Sequence, residues 1–249
     1  MWKCSKVSVA PCVLTLNHFL LVKNTCLKQS FEMAQDKVKS TLEEPTRQQL
    51  LEAAGAVFAE HGFRTATIRQ ICQRAGANVA AVNYHFDGKA GLYAEVLRYA
   101  HHCAEERHPA GVALDKSLTP ERELELFVHA FLQRLFDEGR TAWLGKLMSR
   151  EMVEPTTVLD SVVEEQIKPN SQRLQHLLRR LLGARASVER VRLCEMSVVS
   201  QCLFYHHCRP VISRLFPGFD FSTAALRRLA EHIAQFSLAG LKGAKKGRT

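Results

Sequence analysis

At 249 residues, with 46% apolar and 24% charged side chains, the chain has the composition of a folded protein and room for one large or two unequal domains. Of the formal charge of +9, +3 lies in residues 1–33 and +4 from Lys242 onward, which leaves the body near neutral at +2. This excludes disorder along the whole chain, and makes a pI near 9.3 weak support for nucleic-acid binding on its own.

A local excess is more informative. Between residues 61 and 89, Arg64, Arg69, Arg74 and Lys89 face only Asp87. The eight cysteines, at 4, 12, 26, 72, 103, 194, 202 and 208, form no CxxC and several fall on apolar helical faces. They read as reduced thiols of a cytoplasmic protein.

Residues 1–44 read as a disordered or mis-annotated extension. Lys3 and Lys6 precede the apolar "VSVAPCVLTLNHFLLVK", but Asn17 and His18 interrupt that run, which is also short for a membrane span. Met33 is an alternative start. No membrane partner is expected.

Thr46 predicts the cap of a first helix with Leu50, Leu51, Ala54, Val57 and Phe58 on its buried face, ended at Gly62. Thr67 caps a second helix carrying Ile68, Ile71, Cys72 and Ala75. Gly76 then permits a left-handed turn, and Asn78 caps a third helix with Val82 and Phe86 facing inward. A fourth helix begins at Lys89. Further helices are expected over 121–138, 143–152, 156–182 with a kink or break at Pro169, 188–206, and 222–241, with a loop or short turn between the last two. Strand signals are weak, so the fold class is all-α. The domains divide at 45–92, 93–241 and a basic flexible tail, 242–249.

The second helix, the glycine turn and the third helix form a helix-turn-helix pattern. Such a unit needs a core that fixes two helices, phosphate contacts at helix ends and base-reaching side chains on the second of them. Ile68, Ile71, Ala75, Ala77, Val82 and Phe86 supply the core. Thr67 opens one helix, where backbone N–H groups hold phosphate, and Lys89 opens another. From Gly76 to Gly88 there is no Lys or Arg, so base contact falls to Asn78, Val79, Ala80, Ala81, Asn83, Tyr84 and His85. Asn pairs bidentately with adenine, worth about 1–3 kcal/mol of discrimination, and alanine touches thymine methyls, which points to half-sites containing A·T pairs. Arg47 is a further candidate for phosphate.

"TATIRQICQRAGANVAAVNYHFDGKAGLY" resembles the DNA-binding region of TetR/AcrR-type bacterial transcriptional regulators, with the T-x-R-x-I-x-x-x-A-G…Y-x-F-x-x-K-x-x-L spacing over Thr67 to Leu92. "MSREMVEPT" and "VVEEQIKPNSQRL" are similar to the C-terminal domain of CerR/CecR-type members. The resemblance spans about 45–241 and implies a three-helix DNA-binding domain on a larger helical domain for ligand binding and dimerisation. It also implies Thr67, Tyr84 and Lys89 as the firmest matches to family positions. Many relatives have Tyr where this chain has Asn83, and Lys or another polar residue at Val79, which shifts readout toward Asn83, Tyr84 and His85.

An effector pocket, implied by the resemblance, draws on Phe127, Phe131, Trp143, Met148, Arg150, Cys194 and Tyr205. The apolar stripes of the last two long helices, Val191, Val198 and Cys202 with Leu226, Leu229, Ile233 and Phe236, are the expected dimer surface. Cys202 and His206 are four apart and Cys208 follows, but two further ligands are missing, so packing is the default and no metal or cofactor is expected. With no nucleophile elbow, phosphate loop or metalloprotease spacing, catalysis is not expected. The reading is a homodimeric repressor that binds a palindromic double-stranded operator and is released by a small-molecule effector. The alternative is a helical small-molecule-binding or enzymatic domain with an incidental helix-turn-helix.

Overall fold

The computed structural model describes residues 46–109, 118–139 and 142–246, and no strand occurs among them. The chain divides into two units, 1–48 and 49–249. Of the first unit only 46–48 are described; they are helical and half-buried, Arg47 among them. The extension expected over 1–44 lies outside the described residues.

In the second unit helical residues continue from 49 to 65 (α1), and the expected stripe of Leu50, Leu51, Ala54, Val57 and Phe58 is buried. Thr67 caps α2 (Ile68–Ala75) in a full capping box with Gln70. Gly76 turns the chain in the left-handed region at φ 66°, and Asn78 Oδ1 caps α3 (Val79–Phe86). α4 (Lys89–Arg107) follows directly. Its Leu92, Tyr93, Val96, Leu97 and Ala100 complete a core with α1–α3, which Leu144, Leu147, Val158 and Val162 also join. The boundary expected at residue 92 is therefore not a break in packing, because α4 gives one continuous face to the first core.

A second core gathers α5 (Pro120–Leu135), α8 (Lys168–Leu182), α9 (Val188–His207) and α11 (Thr223–Lys246). Glu123, buried on α5, accepts two bonds of 2.8 and 2.7 Å from Arg180 on α8, a paired charge at the edge of this core. α6 (Trp143–Val153) and α7 (Leu159–Val162) lie between α5 and α8 in sequence. α10 (Arg209–Leu215) makes the predicted loop or short turn a helix of seven residues.

Three expectations are corrected. The segment 156–182, expected as a long helix with a kink or break at Pro169, is broken before that proline and not at it. It is α7, a π-turn at Val163–Ile167 and α8, with Pro169 in the first turn of α8. The wider turn absorbs the clash a proline ring makes with the carbonyl four residues before it. Residues 242–246 are not a tail, since α11 runs to Lys246 with Leu241 buried and Ala244 O held by Arg190 at 2.5 Å. The remaining residues, 247–249, lie outside the described part.

The third correction concerns the dimer surface. Val191, Val198, Cys202, Leu226, Leu229 and Ile233 are all buried within the protomer's own second core. Only Phe236 of the expected set is exposed, at 65%. On a helix of a packed bundle the strongest apolar stripe marks the side used for folding. α9 also bears Leu193, Met196 and Phe204, all exposed. Cys202 is fully buried and its thiol is pushed up to about 12 by burial. Among the described residues no group of three or more His, Cys, Asp or Glu side chains comes together as a metal site.

Candidate nucleic-acid interface

α3 is short and divided. Val82 and Phe86, four apart, anchor it to the first core. Asn78, Val79, Ala80, Asn83 and Tyr84 lie exposed, with Tyr84 at 67% and Val79 at 46%. Hydrophobic side chains left this open beside polar ones are costly to leave wet in quantity, yet they suit a surface that meets thymine methyls and base edges. Two predicted contacts sit differently. Ala81 is partly buried against the core, and His85 is half-buried, edge-on to Tyr84 with ring centroids 4.9 Å apart.

The flanking groups are engaged in caps. The Thr67 hydroxyl accepts from Gln70 N at 3.2 Å and donates to Gln70 Oε1 at 2.8 Å, while Thr67 N–H donates to the same oxygen at 2.8 Å. The N-terminus of α2 is thereby capped, and its first amides point away from the helix body as at any helix start. Asn78 Oδ1 likewise accepts from Ala80 N at 2.9 Å. Lys89 folds back: its ammonium donates to Arg64 O at 3.1 Å and stands 4.9 Å from the centroid of the Phe63 ring. A cation near the end of α1 meets favourable carbonyl charge. Partial burial nevertheless holds this lysine below its ordinary pKa. Arg64, near the end of α1, and Arg69, on α2, are exposed, whereas Arg74 is paired with Glu60 at 2.9 Å.

The residues expected to line an effector pocket are not brought together. Phe127 and Phe131 stack at 6.2 Å within the second core, against which Cys194 and Tyr205 also pack. Trp143 and Met148 pack on the first core. Arg150 alone of the seven lines an open cleft of about 510 Å³. That cleft is walled by α6, through Gly145, Lys146, Ser149 and Arg150, and by Leu135, Phe136, His206 and Arg209. Its α6 members recur at helical spacing in the sequence, but none of them is an aromatic side chain of the kind that marks a pocket lining. On α9 the exposed Leu193, Met196 and Phe204 form a weaker pattern than the core stripe beside them.

Residues 50–96 match the family model for bacterial regulatory proteins of the tetR family, and residues 120–241 match that of the C-terminal domain of the HTH-type transcriptional dual regulator CecR. Over 170 residues the chain is 30% identical to the dual regulator CecR of Shigella flexneri, covering 65% of this chain and 76% of that one. The chain belongs to the TetR family. A further relative, the HTH-type transcriptional repressor AcnR of Corynebacterium diphtheriae, is 30% identical over 129 residues, or 50% of this chain and 65% of its own. The solved fatty acid degradation regulator FadR of Bacillus halodurans shares the fold: TM-score 0.58, 18% identity, 80% of this chain and 97% of that one. As a TetR-family regulator of the CecR-like subgroup, the protein binds DNA through its N-terminal helix-turn-helix and carries a helical ligand-binding domain behind it. Among the described residues no helix is long and apolar enough to cross a membrane.

Proposed function

We propose that this TetR-family protein is a homodimeric repressor that binds a palindromic operator and is released by a small-molecule effector, acting in the bacterial cytoplasm and catalysing no reaction. The observation that carries the reading is the exposed face of α3, where Asn78, Val79, Ala80, Asn83 and Tyr84 stand together on a helix held from behind by Val82 and Phe86. Asn83 and Tyr84 read base edges, and Val79 and Ala80 contact thymine methyls. The amides opening α2, with Arg64 and Arg69, grip phosphate and set the register.

Two copies pair through the exposed side of α9 and α11, with Leu193, Met196, Phe204 and Phe236 at its centre. An isologous two-fold interface places two α3 helices on half-sites separated by a fixed helical phase. The effector binds the helical domain and shifts the dimer toward a spacing that no longer fits; about 1–3 kcal/mol of differential affinity is typical of such coupling. The Corynebacterium relative is named a transcriptional repressor, which supports repression, and the Shigella relative is named a dual regulator.

The test is selection of a random duplex library by the full chain at physiological salt. Enrichment of a palindrome with A·T pairs in each half is expected, and no enriched palindrome overturns the repressor reading.

A further inference from the structure

Arg150 reaches out of the helical domain to the end of α1. Its Nη2 donates to the carbonyls of Ala59 at 3.4 Å and Glu60 at 3.2 Å. Space for it exists because Gly62 has no side chain: a Cβ there would lie 2.8 Å from Arg150 Nη1. Gly62 also holds φ at 79°, a conformation other residues rarely adopt. The Glu60 side chain in turn pairs with Arg74 of α2 at 2.9 Å. A continuous chain of contacts thus leads from α6 through the end of α1 to the first helix of the helix-turn-helix.

The same guanidinium belongs to the wall of the cleft, as does Ala59. Ala142, Gly145, Lys146, Ser149 and Arg150 follow one another at helical spacing, so small residues open the space and two cations four apart border it. Arg209 adds a third cation, and Leu135 and Phe136 give an apolar side. Two carboxylates also line it, each beside a cation, and the cation beside Glu138 is Arg209 itself, which leaves Lys146 and Arg150 as the cations without a lining carboxylate. Asp137 is bonded to Arg107 at 2.7 Å, and Glu138 stands 3.9 Å from Arg209.

We propose that this cleft is the site of a small organic anion, a carboxylate or phosphate carrying an apolar group, and that its charge draws Arg150 away from α1. Strength decides the exchange. The two bonds to neutral carbonyls are long, whereas a guanidinium–carboxylate or guanidinium–phosphate pair is shorter, often bidentate and roughly twice as strong per bond. With Arg150 taken by the anion, the α1 carbonyls lose their cap and α2 loses the far end of its tether. The DNA-binding helices are then held less firmly in the geometry that fits an operator. This deepens the proposed effector response, and rests on it only for the effect on DNA.

Calorimetry with benzoate and phenyl phosphate, and with neutral benzamide for comparison, tests the site on the full chain without DNA. Both anions are expected to bind at least tenfold more tightly than benzamide. Lys146→Gln, at an exposed position, is expected to weaken the anions about tenfold while leaving operator affinity unchanged when no anion is present. Arg150→Gln is expected to weaken them as much, lower operator affinity severalfold without any anion, and abolish the response to benzoate. Benzamide binding as tightly as benzoate, or anion binding unchanged in Lys146→Gln and Arg150→Gln, overturns the site. Anions that bind the wild type but leave its affinity for the selected operator unchanged overturn the exchange at α1. A chain that selects no operator refutes the repressor reading, while the calorimetry still confirms or overturns the anion site.

Discussion

The Tyr93 hydroxyl donates a 2.8 Å hydrogen bond to Glu151 Oε1, and both side chains are almost fully buried. The second carboxylate oxygen accepts from Thr156 N at 3.0 Å and Thr156 Oγ1 at 3.2 Å. One buried carboxylate therefore ties α4, α6 and the turn that leads into α7. Burial and the neighbouring acid both raise the Tyr93 pKa, so the phenol stays a donor at any working pH. Burying an acid is costly unless its oxygens are satisfied, and here both of them are.

Tyr93→Phe removes one donor and leaves a buried oxygen without it. A loss of about 1–3 kcal/mol in unfolding free energy is expected. Urea denaturation followed by circular dichroism measures it, and a variant as stable as the wild type would show that Glu151 finds another partner.

Tyr84→Ala separates reading from folding. The ring is exposed, so melting should stay within about 0.5 kcal/mol of wild type. Operator binding should weaken by about 1–3 kcal/mol, tenfold or more. Lys89→Ala should lose both properties, because this ammonium also caps Arg64 O and covers Phe63. Fluorescence anisotropy with the selected operator, beside thermal melts, checks the contrast; equal operator affinity in Tyr84→Ala removes α3 as the reader.

Much of this was legible in the chain because local chemistry and tertiary packing agree. Thr67, Gly76 and Asn78 are cap and turn residues whose geometry is decided within a few positions, and the structure uses each as such. The resemblance to the TetR family rests on that motif, and the all-α fold on the long apolar periods. What failed depends on which side of a helix meets which neighbour. An apolar stripe at Val191, Val198 and Cys202 has the same period whether it faces its own protomer or another, and the bundle of α5, α8 and α11 claims it. The cleft was hidden because its wall is built of Ala142, Gly145 and Ser149, which are informative only through the space they leave.

That distinction makes the dimer surface testable. Phe236→Glu places a charge on the exposed side of α11 and is expected to yield folded monomers in sedimentation velocity, with operator affinity reduced at least tenfold through loss of the second half-site. Ile233→Ala, three residues away but buried, should cost about 2–5 kcal/mol of stability without selectively splitting the dimer. A Phe236→Glu protein that still sediments as a dimer would move the interface elsewhere.

Acid should unfold the protein through its histidines. His101 is held down to about 4, first by burial, then by the nearby Arg134, with Glu105 opposing. Burial is also the leading cause of lowered values at His108, His129 and His206. A neutral native histidine that protonates at about 6.5 when unfolded makes the unfolded state bind more protons between those two values. Its contribution is thus fully present above about pH 6.5, and falls as the pH drops toward the native value of about 4 for His101. Chemical denaturation at pH 7.5 and 4.5 should show a loss of order 2 kcal/mol attributable to His101. His101→Leu removes this titration and should flatten that part of the profile; an unaltered slope in the variant would assign the acid sensitivity to the remaining histidines.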